Sequence, residues 1–188
     1  MNIIDTFIEG LKVVEPKVFG DHRGWFMETY NEENFQNAGI DIKFVQDNQS
    51  FSAAKGTLRG LHYQLNPKAQ TKLVRCTKGA IYDVAVDIRK ESPTFGKWFG
   101  IELSAENKKQ LLIPQGFAHG FMTITNDVEV QYKVDNLYAP ECDRGIIWND
   151  PTINIEWPLD ITPVLSEKDQ NAPGIEEADN NFIYGERK

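Results

Sequence analysis

Residues 72–88 read Lys72-Leu73-Val74-Arg75-Cys76-Thr77-Lys78-Gly79-Ala80-Ile81-Tyr82-Asp83-Val84-Ala85-Val86-Asp87-Ile88. Two runs rich in apolar and β-branched residues meet at Lys78-Gly79, the pattern of strand, turn, strand. Within each run polar side chains fall on the same face as apolar ones. Lys72 alternates with Val74 and Cys76, and Asp83 with Ala85 and Asp87. A charge inside a filled barrel costs several kcal/mol unless it is paired. A barrel wide enough to hold a ligand removes the conflict, because its interior is partly wet and polar.

Similar runs lie on both sides of this stretch. Lys43–Asp47, Thr57–Gln64, Trp98–Leu103, Gln110–Ile113, Phe121–Ile124 and Glu129–Val134 read as strands. Turn signals separate them at Asn66-Pro67, Ser92-Pro93, Ser104-Ala105-Glu106-Asn107, Pro114-Gln115-Gly116 and Thr125-Asn126-Asp127. Many short strands at this spacing predict an all-β sandwich or barrel. Helical periodicity is confined to Glu32–Ala38, which follows Asn31 and stops at Gly39, and to Ser166–Gln170.

The chain has 188 residues, 40% hydrophobic and 26% charged, which suits one domain over residues 1–188. No apolar stretch approaches the roughly 18 residues of a membrane-spanning helix, so no membrane partner is expected. Met1-Asn2-Ile3-Ile4-Asp5 has no basic segment followed by an apolar core, and a cytoplasmic protein is expected. Cys76 and Cys142 are the only cysteines, too few for a disulfide scaffold or a four-thiolate zinc site. The net charge of −8 disfavours nucleic acid, whose binding rests on basic patches. It leaves room for a small anionic ligand, since screening confines the overall field to about 8–10 Å and a few Arg or Lys can dominate locally.

Histidine is the side chain whose ordinary pKa lies nearest that of a general base at neutral pH. His62 stands in Gly56-Thr57-Leu58-Arg59-Gly60-Leu61-His62-Tyr63-Gln64. A barrel metal site would place a second histidine two positions on, and residue 64 is Gln. Strict alternation puts Arg59 and His62 on opposite faces, and a bulge at Gly60 would bring both inward. His119 lies between glycines in Pro114-Gln115-Gly116-Phe117-Ala118-His119-Gly120-Phe121, which reads as a tight turn feeding a strand. His22 reads as a solvated turn residue. Arg23, Arg59, Lys72, Arg75 and Lys168 are the basic candidates. The sequence has no Walker loop, no G-x-G-x-x-G and no G-x-S-x-G elbow, which argues against an ATPase, a dehydrogenase or a serine hydrolase.

Several longer motifs occur in order: Gly56–Gln64, Lys72–Arg75, Asp83–Asp87, Ser92–Gly96, Ile113–Phe121, Trp148-Asn149-Asp150-Pro151 and Leu165-Ser166-Glu167-Lys168-Asp169. In these the chain resembles the dTDP-4-dehydrorhamnose 3,5-epimerase family, most strongly over residues 20–169. The resemblance implies a cupin-type jelly-roll β-barrel with a few short helices, a homodimer with no metal and no organic cofactor, and a dTDP-sugar substrate. It implies His62 as the base, Asp169 as its carboxylate partner, Tyr132 as the acid and Lys72 at the enolate oxygen. For substrate binding it implies Arg23 and Glu28 acting from the neighbouring subunit, Gln46 and Asn48 on the base or sugar, and Arg59, His119 and Lys168 near sugar and diphosphate. Asp143 stands where many relatives carry the longer Glu.

Competing readings are an epimerase inverting one carbon or a ketoisomerase on a related sugar nucleotide, a non-catalytic sugar-nucleotide barrel, and a metal-dependent cupin oxygenase. The presence together of His62, Tyr132 and Asp169 argues against the second, and Gln64 against the third. Activity should therefore survive EDTA and exhaustive dialysis. Loss on chelation, restored by one divalent ion, would reject the metal-free reading.

Overall fold

Alternation of inward and outward side chains builds two antiparallel sheets that face each other. The structure is a computed structural model and describes residues 1–158 and 160–185. The strands are β1 Asn2–Asp5, β2 Lys12–Glu15, β3 Val18–Asp21, β4 Gly24–Met27, β5 Gln46–Ser52, β6 Leu58–Gln64, β7 Lys72–Lys78, β8 Ala80–Asp87, β9 Trp98–Ser104, β10 Gln110–Ile113, β11 Phe117–Thr123, β12 Val128–Val134 and β13 Asp143–Gly145. Helix α1 spans Glu32–Asn37 and α2 Glu167–Gln170. One sheet has the order β1-β2-β10-β7-β12-β5, the other β13-β6-β11-β8-β9. From β6 to β8, and again from β10 to β12, each step along the chain crosses to the other sheet. This is the jelly-roll way of closing a sandwich. The hairpin β3–β4 forms a separate two-stranded ribbon.

Apolar inward positions fill most of the space between the sheets. Val74, Leu111 and Val130 meet Ile81, Ala85 and Phe121 from the opposite side. Burying each such side chain stabilises the fold by about 1.5–3 kcal/mol for the larger ones. The outer faces are covered by the ends of the chain. Asn31 caps α1 by accepting from the Asn34 N–H at 3.0 Å, and α1 lays Phe35 against Val14, Leu73 and Leu112. The C-terminal segment presses Ile153, Ile175 and Phe182 onto Leu61, Val84 and Ala118. The motif Ser92-Pro93-Thr94 has a structural use: both hydroxyls donate to Asp87 Oδ2, at 2.6 and 2.7 Å. Among the described residues no helix is long and apolar enough to cross a membrane.

The expected bulge is present in β6. His119 pairs with His62 and Phe121 with Arg59, so β6 carries one residue more than β11 between these pairs. Gly60, with φ +120°, occupies the irregular position. A Cβ there would lie 2.7 Å from both the Gly120 Cα and the His119 carbonyl oxygen, so only glycine fits.

Two expectations need correction. Of the run Lys43–Asp47 only Gln46 and Asp47 are strand; β5 begins at Gln46 and ends at Ser52. Its inward residues Asn48, Ser50 and Ser52 are polar, so the apolar alternation that marks a half-buried strand is missing. Phe44 instead packs with Tyr30 beside α1. His119 is not in a turn either. The turn is at Gly116, with φ +87°, and His119 lies inside β11 with every residue of that strand buried. Gly120 is small because the Arg59 carbonyl oxygen approaches it: a Cβ would lie 2.9 Å away.

Gly60→Ala should cost at least about 2 kcal/mol in denaturant unfolding, because left-handed backbone and a backbone clash coincide at one residue. A loss below about 0.5 kcal/mol would mean that β6 and β11 separate readily.

Candidate active site

At one end of the barrel the apolar filling stops and polar side chains take its place. A cavity of about 390 Å³ is lined there by Arg59, His62, Lys72, His119, Tyr132 and Asp169, with Ser166 and Lys168 at its edge. A second compartment of about 200 Å³ shares His62, Lys72, Tyr132 and Lys168 with it and adds Gln46, Asn48, Gln64, Tyr138 and Asp143. The two sheets supply different groups. His62 and His119 come from β6 and β11, Lys72 and Tyr132 from β7 and β12.

His62 is held by Asp169, which reaches it from α2. His62 Nε2 donates to Asp169 Oδ1 at 2.5 Å. The other oxygen, Oδ2, accepts from the Gly60 N–H at 3.2 Å, on the bulge itself. Ser166 caps α2 by accepting from the Asp169 N–H at 3.1 Å, which fixes where the carboxylate points. Burial of Asp169 pushes its pKa up, but hydrogen bonds from His62, Gly60 and Ser166 and the His62 charge outweigh that and leave it below the usual carboxylate value. A carboxylate on Nε2 leaves Nδ1 of His62 as the unprotonated nitrogen of the neutral ring.

The remaining polar groups are arranged around this pair. Lys72 Nζ donates to the His62 carbonyl oxygen at 3.3 Å, and full burial pushes its ammonium pKa down to about 8 against the opposing pull of Asp83 and Asp143. His119 Nε2 donates to Asp83 Oδ1 at 2.8 Å, and burial lowers the His119 pKa. Burial raises the Tyr132 pKa, with Arg59 opposing and Asp143 adding, so its phenol stays protonated at neutral pH. Arg59 is pinned by Ser52 Oγ at 3.2 Å and the Phe51 carbonyl at 3.0 Å. Gln46 Nε2 donates to Asn48 Oδ1 at 2.8 Å, and Lys168 forms an ion pair with Asp143.

The expected residues thus converge, with three exceptions. Arg23 lies on the β3–β4 hairpin, exposed and paired with Asp21, and Glu28 accepts from the Asn31 side chain; neither lines the cavity of its own chain. Arg75, a basic candidate by sequence, points outward and donates to Gln131 Oε1 at 2.6 Å. Two groups escaped the sequence reading. Asp83 had a visible signal, polar alternation in an apolar strand, but no partner in sequence. Tyr138, which lines the outer compartment and donates to Asp143 Oδ2 at 3.4 Å, sits in a loop with no local pattern. Among the described residues no group of three or more His, Cys, Asp or Glu stands close enough to hold a metal ion.

The sequence profile of the family described as dTDP-4-dehydrorhamnose 3,5-epimerase matches residues 5–177. The chain belongs to this family. Its sequence is 57% identical over 180 residues to the dTDP-4-dehydrorhamnose 3,5-epimerase of Shigella flexneri, covering 95% of this chain and 98% of that one. The fold is similar to that of the Bacillus anthracis epimerase with TDP and PPi bound, at 51% identity and TM-score 0.90 over 92% of this chain and 98% of that one. It is also similar to the Legionella pneumophila epimerase in complex with dTDP-4-keto-L-rhamnose, at 47% identity and TM-score 0.91 over 95% and 94% of the two chains. Family membership and the jelly-roll architecture expected from the motifs therefore hold.

Asp169→Asn should lower stability at neutral pH by about 2 kcal/mol, the scale of a lost charged hydrogen bond. Because the folded pKa of Asp169 lies below its ordinary value of 3.8, the contribution is present above that value and disappears as pH falls through the lower one. Unfolding curves of wild type and variant should converge at acid pH; a constant gap from neutral to strongly acid pH would mean that the carboxylate charge is not what stabilises this contact.

Proposed function

We propose that this chain is an epimerase that inverts C3 and C5 of dTDP-4-dehydro-6-deoxy-D-glucose, giving dTDP-4-dehydro-L-rhamnose for dTDP-L-rhamnose biosynthesis. The observation that carries the reading is the placement of a carboxylate-held histidine and a phenol on opposite sheets across one cavity. Inversion needs that arrangement: a proton leaves on one face of the sugar and another arrives on the opposite face.

C3 and C5 both flank the C4 ketone, so one carbonyl acidifies both. His62 takes the proton through Nδ1, and the pair of electrons moves to the C4 oxygen. Asp169 stabilises the imidazolium that results, as in other His–carboxylate pairs. The Lys72 ammonium holds the enolate oxygen, a preorganised donor of the sort that contributes roughly two to three orders of magnitude in rate. Tyr132 returns a proton to the carbon from the other wall. The phenol suits this task because it stays protonated yet gives its proton to a carbanion-like carbon. Arg59, His119 and Lys168 bind sugar and diphosphate, Gln46 and Asn48 reach the nucleotide, and Asp143 orients Lys168.

We assign Arg23 and Glu28 to the site of a second copy in a homodimer. The β3–β4 hairpin supports this: Phe19, Trp25 and Phe26 are 51%, 58% and 65% exposed, a patch that water tolerates poorly and an interface would bury.

Incubation with the substrate in deuterated water should place deuterium at both C3 and C5; exchange at one carbon would favour a single epimerisation. His62→Ala should abolish exchange. Tyr132→Phe should still wash deuterium into the sugar while net inversion drops by about a hundredfold or more. Inversion of both carbons at the wild-type rate by Tyr132→Phe would remove Tyr132 from the role of acid.

A further inference from the structure

Among the described residues, one buried side-chain polar atom has no hydrogen-bond partner: Oδ2 of Asp83. Asp83 is 0% exposed, on β8 between the sheets, beside the apolar core residues Ile81 and Ala85. Its other oxygen is used by His119. His119 lines the cavity and Asp83 does not, so the carboxylate stands behind the histidine. A half-satisfied buried carboxylate costs several kcal/mol unless a cation compensates it. A cation stands on the opposite sheet: Lys72 enters the same interior from β7, 9% exposed, and lines the cavity beside His119. Its one hydrogen bond is to a neutral carbonyl, that of His62, so no carboxylate touches it directly.

We propose that Asp83 is a positioning residue, the buried counter-charge that keeps the Lys72 ammonium protonated in the dry end of the barrel while fixing the ring of His119. The inference rests on the proposed role of Lys72 at the enolate oxygen. The titratable and charged groups around Lys72 are Arg59, His62 and Tyr63 from β6, Asp83 from β8, His119 from β11, Tyr132 from β12, Tyr138 from the loop after β12, Asp143 from β13, and Lys168 and Asp169 from α2. Burial drives the Lys72 pKa down to about 8, and of the two carboxylates that oppose this, Asp83 acts more strongly than Asp143. The difference has a structural cause. Asp143 is partly wet and engaged by Lys168, whereas the Asp83 charge is fully buried and less screened. An ammonium stabilises an enolate; a neutral amine does so far less.

The test is the pH dependence of kcat between about pH 6 and pH 10, read both as inversion and as deuterium wash-in, for wild type, Asp83→Asn and Asp83→Glu. Wild-type kcat should fall above about pH 8 as Lys72 loses its proton. Asp83→Asn keeps the shape and an acceptor for His119 but removes the charge. Its falling limb should move to lower pH by about a unit or more, giving roughly a tenfold deficit at pH 8 that shrinks toward pH 6, with KM changed less than kcat. Asp83→Glu should be slower yet keep the limb near its wild-type position. A uniform loss at every pH in Asp83→Asn would leave Asp83 only a structural role and overturn the proposal. So would a wild-type rate flat from about pH 7 to 10, a result that needs no variant to fold. Absence of wash-in by wild type at all pH values would instead sink the epimerase reading, so the two failures are distinguishable.

Discussion

At Gly60 the backbone of β6 comes close enough to β11 that no side chain fits between them, and the strand gains a residue. That residue resets the alternation, so Arg59 and His62 both enter the cavity. The bulged N–H is spent on Asp169, so the irregular backbone that aims the histidine also anchors the carboxylate that holds it. Bulges recur next to functional sites because they re-aim side chains without breaking the sheet. Here glycine at both 60 and 120 is a steric requirement of that geometry.

The second constraint is electrostatic. An interior that is apolar at one end and charged at the other needs a partner for each charge. His62 has Asp169, and His119 has Asp83. Lys72 has only a carbonyl and the through-space field of the carboxylates. The polar end therefore trades stability for chemistry, while the core beneath it and the α1 and C-terminal covers supply the hydrophobic burial.

Much of this was legible in the sequence, for physical reasons that differ by residue. Strands β7 and β8 announce themselves because apolar and polar side chains alternate and Lys78-Gly79 turns between them. The bulge was legible because Arg59 and His62 could not otherwise share a face. Strand β5 was misplaced because its inward side faces the polar end of the barrel, so a pattern of hydrophobicity has nothing to detect. The strands β1–β4 and β13 span three or four residues each, and of the strands this short only β10, with its apolar run Leu111-Leu112-Ile113, was legible. The α2 carboxylate could be assigned to His62 only through the family motif, since no local pattern links residues 107 positions apart. Asp83 was visible as an oddity, and its use became apparent only once β7 and β8 faced each other.

The separation of His62 and Asp169 along the chain also has a kinetic meaning. Closing so long a loop is entropically costly and is slower than forming neighbouring hairpins, so contacts of this sort are made late in folding. The pair depends on α2, a single turn capped by Ser166. The same long-range contact ties the site to the far end of the chain: His62 has its carboxylate only where the C-terminal segment is docked.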